Sequence, residues 1–344
     1  MPTKTTTGKR RKFVYVLGAG ASFGAGASAA VQGGGRLPIP TQATFWETFL
    51  RFCAGKKNRK EIESFLFRYF LNYRRVPTRL RAAAKRKLLA NVDVEEVFTF
   101  LSERARAPST SVQLRTYSLR VWAALVAEIG NVFRHFEPNH STRKVFRAFV
   151  KNHFRSRDVV VSFNYDTTFE ASLQSKRKYS YSGVADTAST LPILKPHGSV
   201  NWELGSDGSV NVVENPRQSV IVAPTHLKFV ALSDAADGGG TGYLDQAQPL
   251  RQVWTQMENQ MKAARALVFI GYSFPIADLY FSSILRSVLA DRETDPDVVV
   301  VNPDAVAIAQ RLQERFAVRK VLRYFDFAQF VQISRKSVIS QMEP

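Results

Sequence analysis

Five short, almost wholly apolar runs constrain this chain more than any other feature: Phe13–Leu17 (FVYVL), Val159–Phe163 (VVVSF), Val220–Ala223 (VIVA), Ala266–Ile270 (ALVFI) and Val298–Val301 (VVVV). Each is too short for a buried helix and ends at glycine, asparagine or proline. Their apolar side chains would fall on both faces of a strand, so both faces must be covered. That is the situation of a strand inside a parallel sheet sandwiched by helices. Val321–Phe325 (VLRYF) is a sixth candidate. Five or six such strands separated by helical or loop stretches predict a doubly wound, Rossmann-like parallel α/β sheet.

The interval between the first two strands is too long for a single crossover. Residues 42–155 hold no strand pattern but repeat apolar residues at helical spacing over Thr44–Phe52, Lys60–Tyr73, Arg79–Ala90, Asp93–Arg106, Ser111–His135 and Thr142–Asn152. Asn91–Glu96 (NVDVEE) has the acids of a helix start. The expected organisation is a basic tail at 1–12, an α/β core from 13–41 and 156–330, a helical subdomain inserted at 42–155, and a tail at 331–344. Residues 233–243 (SDAADGGGTGY) read as a surface loop.

Charge and cysteine content narrow the classes of function. The 344 residues carry a net charge of +19, and residues 51–90 alone hold 13 Lys or Arg against two Glu. Such a field attracts polyanions, whether nucleic acid, an acidic partner or a dinucleotide, although a solvated helical face reads the same way. Lys56, Lys57, Arg59 and Lys60 precede Arg74, Arg75, Arg79, Arg81, Lys85, Arg86 and Lys87, with Phe65, Phe67, Tyr69, Phe70 and Tyr73 between. The aromatic spacing suits a core or a subunit interface better than a base-stacking platform. Cys53 stands alone, so neither an intrachain disulfide nor a four-cysteine zinc site can form. No apolar run reaches the ~18 residues of a membrane span, and no signal-peptide pattern is present, so a cytoplasmic protein is expected.

Polar motifs sit where the strands end, the place where open α/β sheets bind ligands. Gly18-Ala19-Gly20-Ala21-Ser22 follows the first strand, and backbone without side chains there can approach a pyrophosphate. The next glycine is Gly24, and no acid stands about 20 residues on after a second strand, so the loop departs from the dehydrogenase fingerprint. Ser162-Phe163-Asn164-Tyr165-Asp166 offers an amide and a carboxylate, which suit a ribose or a water as well as a helix cap. Lys195-Pro196-His197-Gly198 offers a candidate base. Gly271-Tyr272-Ser273-Phe274-Pro275, with Asp278 beyond, and Asn302-Pro303-Asp304 complete the series. Of the other histidines, His135, His140 and His153 fall in the helical stretch and read as surface or packing residues.

The order of these motifs resembles the sirtuin catalytic core. In wording it resembles the sirtuin-like domains of bacterial anti-phage defence proteins, which carry GAGAS, a [ST]-x-NYD, a K-x-HGSVNW and a GYSFPIAD, as here. The likeness covers 13–41, 158–203 and 266–330, about half of the chain. Two departures from protein-deacylating sirtuins matter. Leu37-Pro38-Ile39-Pro40-Thr41 replaces their GIPDFR-like stretch, and Cys53 alone excludes their zinc module. The resemblance therefore implies an NAD hydrolase that takes NAD as substrate and releases nicotinamide and ADP-ribose, or a cyclised ADP-ribose. It implies that Asn164 orients the ribose or the attacking water, that His197 is the general base, and that Asp166 holds the Asn164 loop. Gly18, Ala19, Gly20, Ala21 and Ser22 would cradle phosphate, Thr41 would lie near the nicotinamide ribose, and Gly271, Ser273 and Asn302 would serve the adenosine half.

Two other classes stay open on the sequence: an NAD-dependent deacylase or ADP-ribosyl transferase, and a non-catalytic nucleotide- or nucleic-acid-binding subunit. Relatives of this size stand beside HerA-like ATPase or Argonaute-type partners, so the resemblance implies homo-oligomers or a partner subunit, and no membrane. The scattered histidines and single cysteine give no metal-ligand spacing. NAD turnover should accordingly survive EDTA. Loss on chelation, restored by one added metal, would refute this.

Overall fold

Four of the five apolar runs, together with Val321–Tyr324, assemble in one sheet. The computed structural model describes residues 12–31, 34–53, 56–76, 80–173, 178–184, 190–223, 250–275 and 278–342. Seven strands pair in parallel: β1 (Phe13–Leu17), β2 (Val159–Ser162), β3 (Tyr179–Tyr181), β4 (Leu191–Leu194), β5 (Ala266–Ile270), β6 (Asp297–Val301) and β7 (Val321–Tyr324). Their order is β7-β6-β5-β1-β2-β4-β3, a doubly wound Rossmann-like arrangement that reverses beside β1. β1 and β5 are buried at every position, as their unbroken apolar runs require.

β3 and β4 have no counterpart in the sequence reading. Each spans only three or four residues, β3 beside the charges of Lys176–Lys178 and β4 interrupted by Pro192. Both therefore lack the continuous apolar signature of a central strand. The run Val220–Ala223 departs in the other direction. It does not join the large sheet: Val220–Ile221 pairs antiparallel with Gly198–Ser199 in a separate two-stranded ladder. Its side chains are buried because Val220 and Val222 enter the core around the sheet while Ile221 and Ala223 enter a second core. Two cores, not two layers of one sandwich, make both faces apolar.

Helices occupy each stretch whose apolar residues recur at helical spacing. After α1 (Ala19–Gly24) come α2 (Phe45–Phe52), α3 (Lys56–Tyr69), α4 (Ala82–Leu89), α5 (Val94–Arg106) and α6 (Val112–Arg134). Asp93 caps α5 by accepting the Glu95 amide at 2.7 Å, and Ser111 caps α6 by accepting that of Leu114 at 3.3 Å. These helices build the second core around Phe49, Phe65, Phe67, Phe98 and Leu125, which places Phe65 and Phe67 inside. Glu63 pairs with Arg59 at 2.9 Å and Lys85 at 3.2 Å, while Lys57, Lys60, Arg74, Arg75, Arg81 and Lys87 face solvent. Arg79, most of the N-terminal tail, His226 and the loop 233–243 lie outside the described residues.

α7 (His140–Asn152) falls within the expected insertion at 42–155, yet it delivers Val145, Phe146, Phe149 and Val150 to the core of the sheet. α8 (Thr168–Leu173), α9 (Arg251–Lys262), α10 (Leu279–Ala290), α11 (Ala305–Phe316), α12 (Phe327–Phe330) and α13 (Arg335–Met342) complete the chain. α13 docks too: Arg335 pairs with buried Asp158, whose carboxylate also accepts the Phe13 amide at 2.8 Å. No helix among the described residues is long and apolar enough to cross a membrane.

His153, at the end of α7, packs 4.4 Å from the Phe330 ring with Nε2 3.1 Å from the Phe330 carbonyl. Burial pushes its pKa from 6.5 down to about 4, against the pull of that hydrogen bond. An unfolded chain takes up this proton between those two values while the folded chain does not. Stability is therefore complete above pH 6.5 and falls as pH drops towards 4, by on the order of 3 kcal/mol. Chemical denaturation of wild type and His153→Gln across that window should show a shallower loss in the variant. Parallel curves would refute this assignment.

Candidate functional site

The strand ends supply the site. Past β1 the ladder runs one residue further, with the Gly18 amide donating to the Ile270 carbonyl at 3.0 Å and the Phe163 amide to the Leu17 carbonyl at 2.9 Å. The turns after β1 and β5 then meet backbone to backbone. A Cβ on Gly18 would stand 2.5 Å from the Gly271 carbonyl oxygen, and one on Gly20 would stand 2.8 Å from the Gly271 Cα. Gly271 has φ +61°, and a Cβ there would overlap the Ala21 amide. Glycine at 18 and 20 is thus already demanded by the neighbouring turn, before any phosphate is considered. The Gly20 amide donates to the Gly271 carbonyl at 3.0 Å and that of Ala21 to the Gly18 carbonyl at 2.9 Å. Ala19, exposed at the first turn of α1, remains the loop's candidate phosphate donor.

A cleft of about 870 Å³ opens over these turns. Gly18, Ala19, Gly20, Thr41, Asn164, Asp166, His197, Gly271, Ser273 and Asn302 all line it, contributed by the carboxyl ends of β1, β2, β5 and β6 and by two loops. Ala21 and Ser22 do not reach it; both are buried beneath the loop. Ser22 acts from below. Its hydroxyl stands 3.2 Å from Asp166 Oδ1 and 3.0 Å from the Thr168 hydroxyl, and it accepts from Asn164 Nδ2 at 3.2 Å. Asn164 Nδ2 also donates to the Gly18 carbonyl at 3.0 Å. With its amide hydrogens held this way, Asn164 offers its carbonyl oxygen as an acceptor.

His197 is held on the turn that precedes the Gly198–Ser199 strand. Gly198 has φ +79°, and a Cβ there would overlap the Val220 carbonyl, so the glycine after the histidine belongs to this pairing. The Val222 amide donates to the His197 carbonyl at 2.9 Å. The ring packs 4.7 Å from Phe163, and its Nε2 lies 3.5 Å from Asp278 Oδ1. Asp278 also accepts the Tyr272 hydroxyl. Burial pushes the Tyr272 phenol well up, helped by the Asp278 charge, so Tyr272 stays a donor.

Several residues of the site carried no role in the sequence reading. Lys195 is fully buried, donating to the Asp166 carbonyl at 2.6 Å and pairing with Glu170 at 2.9 Å. Tyr165 donates to the Val222 carbonyl at 2.8 Å and lies 5.8 Å from the Phe133 ring of α6. Asp93, besides capping α5, accepts Gln42 Nε2 at 3.0 Å, joining the Thr41 loop to the helical segment; Glu95 also lines the cleft. The signal that existed was position. Lys195 lies two residues before His197, and Asp93–Glu95 opens a capped helix.

Residues 158–324 match the family model of the SIR2-like domain. No curated protein matches the chain.

The crowding between turns can be separated from ligand binding by mutation. Gly20→Ala and Gly271→Ala should each cost roughly 2 kcal/mol or more of stability without any nucleotide present. Gly24→Ala, whose Cβ would sit an ordinary 3.6 Å from Phe327 Cβ, should be neutral or stabilising by about 0.5–1 kcal/mol. Equal melting temperatures for all three variants would refute the crowding argument.

Proposed function

With residues 158–324 a SIR2-like domain, we propose that the protein cleaves NAD at the nicotinamide–ribose bond, releasing nicotinamide and ADP-ribose or a cyclised ADP-ribose. One observation carries the reading: a single cleft of about 870 Å³ joins Asn164 and His197 to the glycine turns after β1 and β5 and to Asn302 after β6. Its volume suits a dinucleotide-sized ligand. The glycine turn precedes the matched segment in sequence but shares its sheet.

The chemistry asks little of the protein beyond placement. Nicotinamide leaves as a neutral base from a positively charged ring nitrogen, through an oxocarbenium-like state. Asn164, its amide tied to Gly18 and Ser22, accepts a hydrogen bond from the ribose hydroxyl or the attacking water and so orients it. His197 takes the proton from that nucleophile, and Asp278 beside its Nε2 stabilises the imidazolium that forms. Asp166 acts through Ser22 and is a positioning residue.

Unrestrained NAD cleavage would harm the host cell. This supports a gated role as an NAD-depleting anti-phage effector, with control through self-assembly or a partner subunit of the HerA-like or Argonaute type. The exposed cations of α3, α4 and the segment between them are the surface we assign to that contact.

Purified protein, assayed with activating partners where required, should release nicotinamide from NAD without an acylated peptide. Asn164→Ala and His197→Ala should each lower turnover by at least ~10²-fold while melting like wild type. Full turnover in both variants would refute the site. A strict requirement for acyl-peptide would favour a deacylase.

A further inference from the structure

One of the acids in the cleft belongs to the helical segment. Residues 90–95, which join α4 to the first turn of α5, line the cleft. They are tied in place twice: Trp46 Nε1 donates to the Val92 carbonyl at 2.8 Å, and Gln42 Nε2 to Asp93 Oδ2 at 3.0 Å. Asp93 Oδ1 accepts the Glu95 amide at 2.7 Å, so the backbone that carries Glu95 is fixed by the cap. Glu95 is half-buried on the cleft wall, whereas Glu96 beside it is exposed and does not line the cleft. Two phenols place the Glu95 carboxylate at the His197 end. The Tyr165 ring lies 6.2 Å from that of His197, and Tyr272 donates to Asp278, whose Oδ1 stands 3.5 Å from His197 Nε2. Burial pushes both phenols up, and after Asp278 the Glu95 charge adds to the effect on each. No Lys or Arg is found among the described residues that line the cleft, so a cationic ligand meets carboxylates there.

We propose that Glu95 is a third catalytic group, supplied by the helical segment: its carboxylate faces the positively charged nicotinamide ring and then the ribosyl cation that forms as the ring leaves. The inference rests on the NAD-cleaving reading above and adds Glu95 to Asn164 and His197. As the C1′–N bond breaks, its electron pair goes to the ring nitrogen, which becomes neutral, and the positive charge passes to the ribose. Water then bonds to C1′ and gives its proton to His197. A fixed carboxylate facing both positions opposes the positive charge throughout, and a neutral isostere does not. An acid in the first turn of a helix also favours the helix itself. Glu96, in the same turn but turned to solvent, separates that contribution from the one proposed.

Calorimetric titration with carba-NAD tests this without turnover, because its carbocyclic sugar cannot release nicotinamide although the ring keeps its charge. Reduced carba-NAD has a neutral ring, and ADP-ribose has no ring at all. Wild type should bind carba-NAD at least roughly fivefold more tightly than its reduced form, with a narrower gap at high salt. Glu95→Gln should bring the two forms within about twofold while keeping ADP-ribose affinity, whereas Glu95→Asp and Glu96→Gln should keep the gap. In the active enzyme Glu95→Gln should lower kcat/KM for NAD by roughly tenfold or more. An unchanged gap in folded Glu95→Gln would overturn the proposal, and Glu95→Ala gives the same reading if the glutamine variant misfolds. Equal binding of the two forms by wild type would overturn the role of Glu95 alone. Binding of neither carba-NAD nor ADP-ribose would overturn the NAD reading itself, and this inference with it.

Discussion

The contact on which the site depends involves no side chain. Where β1 and β5 leave the sheet side by side, the Gly18–Gly20 turn presses against Gly271, with a hydrogen bond from the Gly20 amide to the Gly271 carbonyl at 3.0 Å. Two parallel strands lie ~5 Å apart, so turns that leave the same edge in the same direction have little room unless both give up their Cβ atoms. Doing so leaves bare backbone as the floor of the cleft. It also fixes the start of α1, and through Ser22 on that helix the polar groups that reach Asn164.

Above that floor the orientation of Asn164 descends through buried partners. Asn164 donates to Ser22, whose hydroxyl meets Asp166 and Thr168, and the Asp166 carbonyl accepts from Lys195, which pairs with Glu170. Each charge in this chain has a partner within the protein, the condition under which buried charges are tolerated. Satisfied networks of this kind hold one geometry, because any rotation leaves a polar group unpaired. The amide of Asn164 is therefore set before a ligand arrives.

Much of this was legible in the sequence where a residue's burden was local. β1, β2, β5 and β6 announced themselves because each is covered on both faces by one core, α5 because acids open it beside Asp93, and α6 because its apolar residues recur at helical spacing. Legibility failed where burial came from elsewhere in the chain. Val220–Ala223 looks like a central strand because two separate cores cover it, and pairing partners cannot be read from apolarity. β3 and β4 were too short and too interrupted to stand out. In the site, glycine motifs and polar residues were visible as types, but their purposes were not. Gly20 reads as a phosphate contact until Gly271 is seen against it, and Ser22 as a ligand donor until it is found beneath the loop. Lys195 takes no role in the motif around His197, since nothing in the one-dimensional pattern places Glu170 beside it.

The segment Val220–Ala223 has a consequence for how such a protein can be cut or combined. Alternate side chains are shared between the core of the sheet and the core of the helical segment, while its backbone holds the turn of His197. The helices between Phe45 and Arg134 therefore cannot be treated as a detachable module. Removing them would strip Ile221 and Ala223 of their cover, leaving one side of a two-stranded ladder in water and the histidine on a turn with half its foundation gone. Grafting different helices onto the same sheet would succeed only if they rebuilt that wall. The helical segment is in this sense part of the cleft's masonry, although most of its residues never approach the cleft.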